Sequence, residues 1–218
     1  RQEQYQEVVE GLLKSEHNNV LLIGDPGVGK ETLLVSLVHD SFFGKLPGML
    51  KHKRMLELDL GSLIAGATEK GEFSARLEAI IAEVSHAGNI ILYIPEFQNV
   101  LGSTSFRLNL SGTLMPYLKS GVLPIIATVT KGNYKIYVEQ DPIQEAFTHV
   151  TLDEPDHETA LLMLLQKAVS IETYYRVSIS YNAVRAALEY AHIYLPDDVL
   201  PGSAVTLLTD AANTVSLS

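Results

Sequence analysis

Residues 24–31 read GDPGVGKE. Glycines at this spacing let backbone N–H groups turn inward around an anion, and Lys30 then reaches the β/γ oxygens of a nucleotide. A loop of this kind ends in Ser or Thr, whose hydroxyl ligates Mg²⁺. Here that position is Glu31. Further along, ILYIPE (91–96) places Pro95 where a working ATPase of this design carries an acid.

Three fates are open to Glu31. A carboxylate ~5 Å from phosphate oxygens repels each charge by roughly 3 kcal/mol at an effective dielectric near 20. A metal bridging the two reverses that sign. Alternatively, Glu31 itself occupies the anion site, because its carboxylate is attached beside the same N–H groups. Thr32 either touches an α-phosphate or is an ordinary Thr early in a helix, facing solvent or bonding back to the chain. The expected nucleotide-binding set is therefore Gly24, Asp25, Pro26, Gly27, Val28, Gly29, Lys30, Glu31 and Thr32. It predicts weak ATP or ADP binding with little dependence on Mg²⁺. No metal site is expected, since the seven histidines show no ligand spacing.

These residues need a strand, a loop and a helix in that order. NVLLIG (19–24) reads as a buried strand and KETLLVSLVHDSFF (30–43) as the helix after it. RMLELDLG (54–61) alternates like a strand, and GEFSARLEAIIAEVSH (71–86) has an apolar helical face. NIILYIPE (89–96) is a second continuous apolar strand. LNLSGTLMPYLKSG (108–121) reads as a helix stopped by Gly121, then come strands in LPIIATVT (123–130) and HVTLDEP (149–155). Strands alternating with helices predict an α/β fold: a mostly parallel sheet covered by helices. After Pro155 three helical segments follow without a strand, with Asp156 and Ser180 as N-caps. The expected division is a large α/β domain over 1–154 and a small helical lid over 155–218.

The chain has 218 residues, 46% of them hydrophobic, and a net charge of −10. That acidic balance lacks the basic footprint of a nucleic-acid binder. No apolar run is long enough to suggest a membrane span, no signal peptide is visible, and there are no cysteines. The expectation is a cytoplasmic location, without nucleic-acid or membrane partners. The chain begins at Arg1, already inside a helix-like pattern, which points to a piece of a longer protein. The basic cluster KHKR (51–54) reads as a solvated loop, with a subunit-contact role as the alternative.

Blocks spread over nearly the whole chain resemble the first AAA+ module of the Clp unfoldase and disaggregase ATPases. They are NNVLLIGDPGVGKE, KRMLELDLGSLIAGA, KGEFSARLEAI, GNIILYIPE, YVEQDPIQEAF and VTLDEP, then YYRVSISYNAV and LPGSAVTLLTDAA in the lid. The resemblance implies the AAA+ sheet order, a helical lid, and a six-membered homo-oligomeric ring with nucleotide between subunits. It also implies an adjacent AAA+ module in a longer chain, and protein substrates or a protease as partners. By the same resemblance Glu96 is the water-activating base and Thr128, in IATVT, the sensor residue.

The departures from the family pattern fall on separate functions. Glu31 replaces the Mg²⁺ ligand and Pro95 the metal-organising acid. PIQEA (142–146) has no arginine where the family carries its finger. Glu69 stands at the aromatic position of the pore loop, and LPGSA lacks the acidic-basic pair that usually follows its proline. An arginine finger alone contributes roughly 10³–10⁵ in rate. The sequence therefore predicts a pseudo-ATPase: the fold is kept while hydrolysis is lost or very slow. Two other readings stay open. One is an active ATPase driving protein unfolding, with Glu31 on Mg²⁺ and the arginine supplied by a partner. The other is a nucleotide-free interaction scaffold.

Overall fold

A computed structural model describes residues 1–64, 70–102 and 109–217. The chain forms two compact units, 1–24 with 31–151 and 25–30 with 152–218.

The first unit is built on five parallel strands. They are β1 (Asn19–Ile23), β2 (Arg54–Glu57), β3 (Ile90–Ile94), β4 (Ile125–Val129) and β5 (Thr148–Thr151), in the order β2-β3-β4-β1-β5. Strands covered on both faces lose the polar half of the usual alternation. Accordingly NVLLI and IIATV are buried at every position, whereas RMLE, at the sheet edge, is exposed at both ends.

The helices of this unit are α1 (Gln2–Leu12), α2 (Lys30–Phe42), α3 (Leu60–Ile64), α4 (Lys70–Ala87), α5 (Ser111–Ser120) and the short α6 (Lys131–Asn133). The apolar stripe of α4, through Phe73, Leu77 and Ile81, joins Leu114 and Leu118 of α5 in the main core. Phe97 and Phe147 meet edge to face there, with centroids 5.0 Å apart. Asn19 is fully buried, and its side-chain amide donates to the carbonyls of Leu118 (2.7 Å) and Ala146 (2.9 Å). One side chain thus fixes the ends of α5 and of the 142–146 turn against the start of β1.

The second unit is helical: α7 (His157–Tyr175), α8 (Tyr181–Tyr194) and α9 (Gly202–Ser216). Leu164 and Ile171, Val184 and Leu188, and Leu208 fill its core. Both expected N-caps form. Asp156 accepts from the Thr159 N–H (2.7 Å) and Ser180 from that of Ala183 (3.2 Å). Gly121 ends α5 in the left-handed conformation, as expected.

Some elements differ from the sequence reading. The alternation expected over 54–61 ends as a strand at Glu57, because the Asp59 carboxylate accepts from the Ser62 N–H (3.2 Å) and opens α3 instead. The helix expected over 108–121 begins at Ser111, whose N–H is taken by Asn109 Oδ1 (2.9 Å). The last strand stops at Thr151. Residues 131–146, with no clear period, form α6, a π turn over Tyr134–Val138 and a 3₁₀ turn over Pro142–Ala146. Lys53, read as part of a solvated loop, donates to the Gly88 carbonyl at 2.6 Å, and burial holds its ammonium below the usual lysine range.

Candidate nucleotide-binding site

β1 delivers the chain to the glycine-rich loop. Its ladder runs one residue beyond the strand, since the Gly24 N–H donates to the Val129 carbonyl (3.0 Å). The loop then turns on Gly27 (φ 88°) and Gly29 (φ 99°), conformations that side chains with a Cβ rarely adopt. Val28 donates its N–H to the Asp25 carbonyl (3.4 Å), and the Lys30 ammonium donates to that same carbonyl at 2.9 Å. The loop's own carbonyl therefore holds both its backbone and its lysine.

Within the second unit the loop lies against the start of α9. A Cβ on Gly202 would sit 2.6 Å from Gly27 Cα, which is backbone and cannot rotate away. A Cβ on Gly27 would meet the Val199 carbonyl oxygen at 3.2 Å. In this structure the LPGSA segment thus needs glycine where an acidic residue was expected from the family pattern.

In the first unit, Glu31 and Thr32 stand exposed in the opening turn of α2. The Thr32 carbonyl takes the Ser36 hydroxyl (2.8 Å), an ordinary helical back-bond. β3 ends at Ile94, immediately before Pro95, in line with proline's missing N–H. Glu96 follows at φ 47°, ψ 54°, a left-handed conformation rare outside glycine. The Asn99 side-chain amide donates to its carboxylate (3.1 Å), and the Asn99 N–H to its carbonyl (2.8 Å). Thr128 is buried in β4, paired in register with Leu22 of β1.

The residue that sequence reading missed is Tyr93. Its hydroxyl lies 3.3 Å from Thr128 Oγ1. Burial pushes the phenol up. The Thr128 hydrogen bond opposes this, and the carboxylates of Glu57, Glu31 and Glu96 each push it further up. Glu57 pairs with Tyr93 in the β2–β3 register. The signal was in the period of the strands: Met55 and Glu57 share one face of β2, and the parallel register carries that face onto Tyr93 and then towards Thr128. Glu31, Glu96 and Thr128 are thereby related through one phenol.

The segment matched to the arginine finger is the Pro142–Ala146 turn, capped by Asp141, whose carboxylate accepts from the Ile143 N–H (2.9 Å). Ile143 and Ala146 are buried, while Glu145 is exposed. Glu69 lies outside the described residues. Among the described residues no group of three or more His, Asp or Glu is arranged to hold a metal ion, and no helix is long and apolar enough to cross a membrane.

Comparison with known proteins places these features in context. Residues 156–218 match the model of the AAA lid domain. The whole chain is 33% identical over 220 residues to the negative regulator of genetic competence ClpC/MecB of Bacillus subtilis, covering 27% of that protein. It is 36% identical over 216 residues to the chaperone protein ClpB of Nitratidesulfovibrio vulgaris, covering 97% of this chain and 25% of the relative. Among solved structures, Hsp104 with ATPγS and FITC casein, in a closed state, superposes with a TM-score of 0.89 at 27% identity, over 100% of this chain and 38% of that one. The Hsp104–ADP complex of S. cerevisiae gives 0.88 at 27% identity, over 100% of this chain and 31% of that one. The chain thus spans about a quarter of the length of the curated relatives it matches. The chain-long likeness, the sheet order and the lid together support a Clp-type AAA+ module.

Proposed function

We propose that this Clp-type AAA+ module is a pseudo-ATPase: it binds ATP or ADP weakly, hydrolyses it little or not at all, and serves a structural or regulatory role. One observation carries this reading: a carboxylate, Glu31, stands exposed in the first turn of α2 where the Mg²⁺-ligating hydroxyl of such a loop belongs. Glu31, the residue after Lys30, acts together with Glu57 and Glu96 on the Tyr93 phenol. Of these, Glu57 sits beside Tyr93 in the β2–β3 register. A polyphosphate adds more negative charge beside Glu31.

The residues fit the phosphates and not the metal. Gly27 and Gly29 give the loop the turns an anion cradle needs, and Lys30 supplies its cation. The hydroxyl and the acid that would hold Mg²⁺ against the phosphates are replaced by Glu31 and Pro95. Glu96 retains a carboxylate that can orient water, and Thr128 a hydroxyl that meets the Tyr93 phenol at 3.3 Å. Neither offsets charge on a leaving phosphate, and PIQEA contains no arginine to do so. Binding and transition-state stabilisation are separate contributions, so the first survives the loss of the second.

In this proposal residues 1–154 are the nucleotide-binding domain and 155–218 the lid. The module works within a homo-oligomeric ring or beside a second, intact AAA+ module, in an assembly acting on protein substrates or with a protease. A nucleotide-free scaffold is the second reading. Its support is the Lys30 ammonium, which the Asp25 carbonyl already holds at 2.9 Å.

Titration with ADP and ATP, in Mg²⁺ and in a chelator, tests the proposal. Weak binding of similar strength in both buffers is expected. No binding in either favours the scaffold. A large gain in Mg²⁺ makes Glu31 a metal ligand and overturns the proposal.

A further inference from the structure

An open apolar groove of about 510 Å³ runs along the outer side of α2, within the first unit. Its wall is the helical series Glu31, Leu34, Val35, Val38 and Phe42, spaced by three and four residues. Its other side is Met55 of the edge strand β2 and Tyr93 of β3. Parallel sheets are ordinarily covered on both faces, yet here Val35 is 68% exposed, Phe42 69% and the neighbouring Phe43 61%. Single exposed apolar residues need no explanation. A stripe of them from Val35 through Val38 to Phe42 and Phe43, about two helical turns opening onto a sheet edge, marks a contact surface.

The groove has a direction. At one end Glu31 lines it, and Glu57, exposed at the end of β2, sits beside the groove residue Tyr93 in the β2–β3 register. At the other end Lys45 lies 5.8 Å from the Phe43 ring centroid and 3.4 Å from Asp40 Oδ1. The wall from Glu31 to Phe42 is about 16 Å long at 1.5 Å per residue, its apolar part from Leu34 to Phe42 about 12 Å, or about two turns of a second helix.

We propose that this groove docks an amphipathic helix of a partner protein. Its apolar stripe, of period i, i+3, i+4, i+7, lies along α2 and Met55, and its Lys or Arg residues meet Glu31 and Glu57. An apolar floor gives such a helix its affinity, and the carboxylate end fixes its polarity. The inference does not rest on nucleotide binding, although Glu31 is common to the groove and to the expected phosphate site.

The test is a selection from a library of helix-constrained 14-residue peptides, displayed against the chain and counter-selected on its Phe42→Asp variant. Val35→Asp serves as a second variant, and circular dichroism checks that both fold; each position is largely exposed. Enriched peptides are expected to carry the apolar period with Lys or Arg grouped at one end. They should bind the wild-type chain at least tenfold more tightly than either variant, and lose at least tenfold when the basic residues are changed to Glu. Three results overturn the proposal: no peptides enriched above the counter-selection, enriched peptides without the period or basic end, or equal binding to the charge-reversed peptides. Concentration-dependent self-association that Phe42→Asp abolishes, without peptide binding, would assign the groove to a second copy of the chain and equally overturn it.

Discussion

Replacing Glu31 should tighten nucleotide binding, and its exposure to solvent limits by how much. At ~5 Å, one carboxylate–phosphate charge pair repels by about 3 kcal/mol at a dielectric of 20 but only about 0.8 kcal/mol in water. Glu31 is exposed in the first turn of α2, so the watery figure governs. Two phosphate charges at that range give about 1.5 kcal/mol, or about tenfold in Kd. Glu31→Gln isolates this effect, because it removes the charge without adding a hydroxyl. It should bind ADP and ATP about tenfold more tightly in a chelator, and the gain should fade near 1 M salt, where the screening length is about 3 Å. Glu31→Thr should match Gln in the chelator and exceed it only when Mg²⁺ is present. Both variants lose an acidic residue from a helix N-terminus, a favourable placement worth about 0.3–1 kcal/mol, so a slight fall in Tm accompanies the tighter binding. Calorimetric titration of the three proteins in both buffers decides the matter. If Glu31→Gln binds no more tightly in the chelator, or binds more weakly than wild type in Mg²⁺, Glu31 is not a repelling group and the electrostatic argument fails.

Gly202→Ala pushes a Cβ to 2.6 Å from Gly27 Cα; overpacking of this kind costs about 1–3 kcal/mol and should lower Tm by several degrees with faster amide exchange in residues 25–30, whereas an unchanged melt would mean the two backbones part easily. Asp40 is held below the usual carboxylate range, chiefly by the Tyr5 hydroxyl at 2.8 Å, with His39 adding to it. Its stabilisation is therefore present above its unfolded pKa of about 3.9 and lost as pH falls through the lower folded value; Tyr5→Phe should flatten the acid limb of Tm against pH, and parallel limbs would refute this. Restoring hydrolysis should require Glu31→Thr, Pro95→Asp and an added arginine together. The structure favours Glu145→Arg for the last, since Glu145 is exposed and Ala146 buried; turnover near 1 s⁻¹, within the range of working enzymes, in the double variant without that arginine would refute the requirement.

The strands and long helices were legible because their apolar residues recur at fixed periods and their caps are local: Asp156, Ser180 and Gly121 each act within a few residues. What escaped was decided by contacts remote in sequence or by competing side chains. Asp59 diverts an alternating stretch into α3. The turns between Lys131 and Ala146 follow a changing hydrogen-bond spacing that no single period describes. For the site, the glycine-rich loop announces itself through residue types. Tyr93 does not, because its place beside Thr128 and Glu57 follows from strand register. Likewise the glycine in LPGSA looks like a lost motif in the sequence, and in the fold it meets the backbone of Gly27.

The central claim is that hydrolysis has been lost while the fold remains. Steady-state release of phosphate from ATP, in Mg²⁺ and over a range of protein concentrations, tests it most directly, with Glu96→Gln alongside. The account predicts turnover at least a thousandfold below the ~10 s⁻¹ typical of enzymes, with no difference between the chain and Glu96→Gln. Turnover near 1 s⁻¹ that rises with protein concentration and vanishes in Glu96→Gln would contradict it, because the catalytic base and a working arginine would then both be in place.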